Sequence, residues 1–271
     1  DMPLSEHVTP RMSRIFRGNG RSLVVAMDHG SGLNVYPDLS DISRVLGAVI
    51  EGGADAMLLT PGIIKQFSGS FRSVGIIMRV DGGSTELKGG VSVHRLLYSV
   101  EDALRLGADA VACMGFPGSE WEAETLENIA ALAGQCRNWG VPLMAEMIPG
   151  GFANPSHHTP ENIRLAARVG VELGADFIKT KFVEPAEKFR EVIEHCYRPV
   201  LILGGGHVED ERALFERVKA AVDKGAAGVV MGRMIWRHPA PLLMVKALER
   251  LIHHDASVDE AIHIFRARSG A

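Results

Sequence analysis

GGADAMLLT, from Gly52 to Thr60, is a phrase the chain says four times. LGADAVACM follows at Leu106–Met114, LGADFIKTK at Leu173–Lys181 and KGAAGVVMG at Lys224–Gly232. Each copy closes a helical pattern, passes through Gly-Ala and enters a short apolar run. The Gly suits a left-handed helix C-cap. The apolar run suits a parallel strand buried on both faces. Four further runs lie between these: SLVVAMDHG from Ser22, VGIIMRVDGG from Val74, VPLMAEMIPGG from Val141 and PVLILGGGH from Pro199. Roughly eight strands, each followed by a helix-length segment, match a closed (β/α)₈ TIM barrel. An open doubly wound sheet competes with it, but the strand count and the use of the whole length favour the barrel.

Helix starts agree with this layout. Ser99–Asp102 and Ser119–Glu122 read as capping boxes. Thr159 reads as an N-cap with Pro160 at the first helical position. No linker or low-complexity tract divides the chain. Residues 1–271 are therefore expected to form one barrel domain, with 1–20 an N-terminal extension and 256–271 a C-terminal one.

Composition narrows the class. Of 271 residues, 46% are hydrophobic and 23% charged, as in ordinary globular proteins. The net charge of -4 gives no reason to expect nucleic acid or a membrane as partner. Three cysteines, Cys113, Cys136 and Cys196, form no metal-type spacing and read as reduced buried thiols of a cytoplasmic protein. No basic stretch leads into an apolar one at the start, so no leader is expected.

In a TIM barrel the active site lies at the C-terminal ends of the strands. Those ends are polar here: Asp28-His29, Thr60, Arg79 with Asp81, Glu146, Lys179 with Lys181, Gly204-Gly205-Gly206, and Gly232-Arg233. Lys179 and Lys181 are two apart and should share a face. A lysine in a confined apolar site beside a second cation loses its proton more readily and becomes a nucleophile towards carbonyls. Equally, both ammonium groups could pair with Asp28 and Glu146 and only fill space. The glycines after the seventh and eighth strands, with Arg233, suit a phosphate. Arg79 and Asp81 read as an internal ion pair, and Arg79 with Lys181 as further contacts to a charged substrate. Asp28 and Glu146 are candidate acid/base groups. His29 reads as a structural hydrogen-bonder. The pairs His157-His158 and His253-His254 cannot chelate well, so neither a metal nor any cofactor is expected.

The segments VVAMDHG, GSEWE, GADFIKT, LGGGH and GVVMGRMIW resemble the archaeal-type class I fructose-bisphosphate aldolase family, over about Arg14 to Ile264. The resemblance implies a metal-independent aldolase with Lys179 as its Schiff-base lysine. It places Asp28 in the family's aspartate position and the phosphate at Gly204–Gly206 and Gly232-Arg233. It also implies a phosphorylated keto substrate and a ring-shaped homo-oligomer. One feature departs from the family: where these aldolases carry Tyr-Pro-Arg-Gly, with the tyrosine as proton donor, this chain has Ile148-Pro149-Gly150-Gly151. The branch of autoinducer-2 phosphate thiolases is similar in lacking that tyrosine and in the IKTxxVE pattern. An acyl transfer from a phosphorylated diketone to coenzyme A is thus the second reading, and a non-catalytic sugar-phosphate-binding barrel the third. Glu146, Asp28, Tyr36 and Lys181 are the candidates for replacing the tyrosine.

Overall fold

A computed structural model of the chain describes residues 9–32, 35–88, 94–204 and 210–266. Eight parallel strands close on one another: β1 (Ser22–Ala26), β2 (Ala56–Leu59), β3 (Gly75–Arg79), β4 (Ala110–Gly115), β5 (Leu143–Met147), β6 (Phe177–Thr180), β7 (Val200–Leu203) and β8 (Gly228–Met231). β1 pairs with β2 on one side and β8 on the other, so no edge remains. Helices follow the strands in order, among them α1 (Ile42–Gly52), α2 (Pro61–Gln66), α3 (Val100–Arg105), α4 (Glu122–Trp139), α5 (Pro160–Glu172), α6 (Ala186–His195) and α7 (Glu211–Asp223). A one-turn helix α8 (Arg233–Trp236), then α9 (Pro241–His253) and α10 (Val258–Arg266), complete the outer ring. The architecture is the expected (β/α)₈ barrel. Among the described residues no helix is long and apolar enough to cross a membrane.

The repeated phrase has a mechanical basis. Gly53, Gly107, Gly174 and Gly225 all adopt positive φ, from 82° to 105°, which turns each helix back towards the sheet. The aspartate two residues later clamps the preceding strand. Asp55 donates its backbone N–H to Leu23 O at 2.9 Å, and its carboxylate accepts the Leu23 N–H at 2.6 Å. Asp109 does the same to Ile76, and Asp176 to Leu143. The fourth copy has Ala227 at this position and keeps only the backbone half, to Val200 O at 2.8 Å. Each copy thus fixes the start of an even-numbered strand against the odd-numbered strand before it.

Alternation inside the barrel separates two cores. Side chains facing the helices form the larger one. The inward set includes Val24, Ala56, Leu58, Ile77, Met144, Phe177, Leu201 and Val230, and it is sealed from below by Met12, Ile15 and Phe16. Phe16 meets Phe177 edge to face at 5.3 Å. Part of the stretch read as an extension is therefore the floor of the barrel. The interior is apolar below and filled, so any reactive space lies at the upper, C-terminal rim.

Local readings fare unevenly. Ser99 and Asp102 make the reciprocal capping box, and Thr159 caps α5 by accepting from the Asn162 N–H. Ser119–Glu122 do not form one. Trp121 occupies the N-cap of α4, Ser119 Oγ donates to Phe116 O, and the Glu122 carboxylate reaches back to the Gly118 N–H. The chain turns once more before the helix starts, so the serine sits one turn too early. All three cysteines are free and buried, and burial pushes the Cys136 thiol up to about 12.

Candidate active site

Register places the polar strand ends side by side. Glu146 on β5 is the neighbour of Lys179 on β6, and both project inward. Lys179 Nζ lies 2.7 Å from Glu146 Oε1, and the two residues are 7% and 2% exposed. The other Glu146 oxygen accepts from Arg79 Nη2. Arg79, at the end of β3, is 4% exposed and spends its whole fork on carboxylates. Its Nε donates to Asp28 Oδ2 at 2.9 Å and its Nη1 to Asp81 Oδ1 at 3.3 Å. Burying so many charges is tolerable only because each is paired.

The chain of contacts continues past Asp81. Its second oxygen accepts from the Met114 backbone N–H and faces His94 Nδ1, both at 3.0 Å. A short antiparallel pair, Asp81–Gly82 with Arg95–Leu96, folds the segment after β3 back over the rim and delivers His94 there. The result is one continuous array, His94–Asp81–Arg79–Glu146–Lys179, with Asp28 attached at Arg79. In it Arg79 and Lys179 face three carboxylates.

These contacts shape the protonation states. Burial raises the Asp28 carboxyl, but the Arg79 guanidinium and the Lys179 and His29 charges overcome this and hold it at about 2. Burial likewise opposes ionisation of Asp81, and Arg79, His94 and the Met114 N–H reverse it, leaving its pKa below the usual carboxylate range. Asp28 therefore stabilises the folded state only when ionised. Its contribution, about 2 kcal/mol, is complete above pH ~4. It is lost as the pH falls from there through 2. Substituting Asp28→Asn should accordingly flatten the acid limb of a urea-denaturation series across that window; an unchanged limb would show that Asp28 is not held by Arg79.

Several sequence expectations are altered by the geometry. Arg79 is not free to grip a phosphate, because all its donor nitrogens are taken by carboxylates. β6 ends at Thr180, and beyond it Lys181 is half-buried and lines a cavity of about 310 Å³ with His158, Ile163, Leu203 and Arg217. Burial alone lowers its pKa. Lys179 instead answers to Glu146. His29 packs more than it bonds: its ring meets Trp236 at 5.4 Å and Tyr36 at 6.2 Å, while Nδ1 is buried without a hydrogen-bond partner among the described residues. The Tyr36 ring is held between Trp236 and Arg237. Thr60 caps α2. His253 lies at the opposite end of the barrel, on Asp55 at 2.8 Å.

Gly204 and Gly232 stand at the tips of the adjacent strands β7 and β8. A Cβ on Gly232 would sit 2.3 Å from Ala26 O and 2.7 Å from His29 Cε1, so only glycine fits that turn. Arg233 is exposed at the start of α8, and its charge helps to lower the His29 pKa, after burial as the chief cause. Gly205 and Gly206 lie outside the described residues. Ile148 at the tip of β5 is fully buried in a small apolar group with Phe116 and Leu203. His94 was missed by the strand-end reading, because it arrives on the returning hairpin and carries no periodic signal.

Residues 22–238 match the family model of the DeoC/LacD family aldolases. The chain belongs to that family. Over 262 residues it is 34% identical to 2-amino-3,7-dideoxy-D-threo-hept-6-ulosonate synthase of Halobacterium salinarum, covering 97% of this chain and 96% of the relative. It is 33% identical to 3-hydroxy-5-phosphonooxypentane-2,4-dione thiolase of an Enterobacter species, over 94% of this chain and 84% of that one. Among solved structures it superposes on an archaeal fructose-1,6-bisphosphate aldolase whose catalytic lysine is covalently bound to the carbinolamine intermediate of its substrate. That match has a TM-score of 0.81 and 30% identity, covering 90% of this chain and 99% of the other. The aldolase is thus a lyase of the Schiff-base-forming type on a (β/α)₈ barrel.

Proposed function

We propose that Lys179 is the Schiff-base nucleophile of this aldolase and that its substrate is a phosphorylated keto compound. The observation that carries the reading is the contact between Lys179 Nζ and Glu146 Oε1 at 2.7 Å in a buried site. A lysine attacks a carbonyl only as the neutral amine. Glu146 is in reach to take its proton, and Arg79 prevents the carboxylate from turning away. The amine then adds to the ketone carbon. Glu146 passes that proton to the carbonyl oxygen, then takes a second one from the adduct nitrogen and delivers it to the same oxygen, which departs as water and leaves an iminium on Lys179. The iminium draws electrons from the neighbouring carbon–carbon bond, which breaks or forms. Asp28, held ionised, acts as a fixed charge that stabilises the iminium cation, not as a proton donor.

The phosphate is assigned to Gly204–Gly206 and Gly232-Arg233. Two adjacent strand ends, one too crowded for any side chain and followed by an exposed arginine, support this. Family resemblance supports a cytoplasmic homo-oligomer.

Borohydride trapping tests the reading. The protein is incubated with dihydroxyacetone phosphate, and separately with longer phosphorylated ketoses, then reduced and digested. The added mass should fall on Lys179. An adduct on Lys181 would overturn the assignment of the nucleophile, and no adduct with any ketone would overturn the Schiff-base reading of this chain. Acetyl-coenzyme A formation from a phosphorylated diketone, run in parallel, separates the thiolase reading from the aldolase one.

A further inference from the structure

We propose that His94, oriented by Asp81, is the catalytic acid/base that exchanges a proton with the substrate held on Lys179. This rests on the Schiff-base reading above and names the group that completes it.

Carbon–carbon cleavage needs a base for the substrate hydroxyl, and the nearby candidates are already committed. Asp28 lies on Arg79, Glu146 handles the protons of imine formation at Lys179, and Ile148 at the β5 tip has no exchangeable proton. His94 is different. It is 7% exposed, Nδ1 lies 3.0 Å from Asp81 Oδ2, and Nε2 is buried with no hydrogen-bond partner among the described residues. A buried ring nitrogen left unpaired is rare, since an unpaired polar group away from water is destabilising. An aspartate on one nitrogen fixes which tautomer is present and leaves the other nitrogen with its lone pair. The ring is also held from behind. Its own carbonyl accepts from Asn128 Nδ2 at 2.8 Å, and Phe116 meets it edge to face at 5.1 Å. Phe116 belongs to the apolar group that includes Ile148, which places His94 beside the β4–β5 part of the rim.

The step balances. With the iminium on Lys179, His94 Nε2 takes the proton of the hydroxyl on the β-carbon. The bond between the α- and β-carbons breaks, and its electron pair enters the iminium to give the enamine. The hydroxyl oxygen becomes the carbonyl of the released aldehyde. The imidazolium then returns its proton to the enamine carbon.

Two readouts with dihydroxyacetone phosphate separate this role from a structural one. Borohydride trapping on Lys179 reports imine formation, and exchange of the ketone's α-hydrogen in deuterium oxide reports proton transfer. In His94→Asn, whose amide retains a donor towards Asp81, trapping should stay within about threefold of the parent while exchange falls on the order of 100-fold or more. In His94→Ala, added imidazole should restore exchange by about tenfold or more, as expected when a missing general base is supplied from solution. Exchange near the parent level in both variants would overturn the proposal. So would trapping that falls in step with exchange, because His94 would then only hold the array together. A parent protein that forms no adduct with dihydroxyacetone phosphate or the longer ketoses fails the Schiff-base reading itself, and this proposal falls with it.

Discussion

Lys179→Met should abolish turnover, lowering kcat by at least about 10⁴-fold, in line with removal of other covalent nucleophiles. The borohydride adduct should vanish at the same time. Methionine preserves most of the side-chain volume and removes only the amine. Glu146 keeps its bond to Arg79 in the variant, so the carboxylate is not stranded and the barrel should still fold. Steady-state assay and mass mapping check this together. Retained activity, or an adduct that persists on another lysine, would show that the nucleophile lies elsewhere.

Arg79→Met should produce the largest loss of stability of any single change at the site. It leaves Asp28, Asp81 and Glu146 buried without the guanidinium that meets all three. Breaking a buried ion pair by removing one partner costs about 3–5 kcal/mol. For a chain of this size that lowers Tm by roughly 6–20 °C. The loss should shrink as the pH falls, because protonated carboxylates no longer need the cation. Arg79→Lys should fall between the parent and the methionine variant: the charge remains, but one ammonium cannot serve three carboxylates from a planar fork. Calorimetry across a pH series decides it, and a Tm within 2–3 °C of the parent, which is about 1 kcal/mol, would mean the guanidinium is not the keystone of the array. Activity should fall as well, since Glu146 loses the contact that aims it at Lys179.

What was legible before the structure follows physical locality. Four Gly-Ala copies revealed the strand count because a helix C-cap and a buried strand are both local patterns. The rule that barrel sites lie at strand C-termini then singled out Asp28, Glu146 and Lys179, and these do converge. Lys181 was read as part of the strand, which ends one residue earlier, at Thr180. Ser119 was misplaced for the same kind of reason, an extra turn before α4. Arg79 was read with its near neighbour Asp81, which is correct, but its partners Asp28 and Glu146 are 51 and 67 residues away. His94 had no local signal at all.

By itself, then, the sequence determined the barrel, its strand order and the polar rim, because these depend on side-chain periodicity and on backbone preferences a few residues long. Tertiary structure alone decided which charges meet. Closing eight strands into a ring sets β3 two strands from β1 and two from β5, and the returning hairpin lays His94 on Asp81. Ion pairing falls off with distance through space, not along the chain. The same residues could have paired in many ways, and the closed sheet permits the one that puts Glu146 between Arg79 and Lys179.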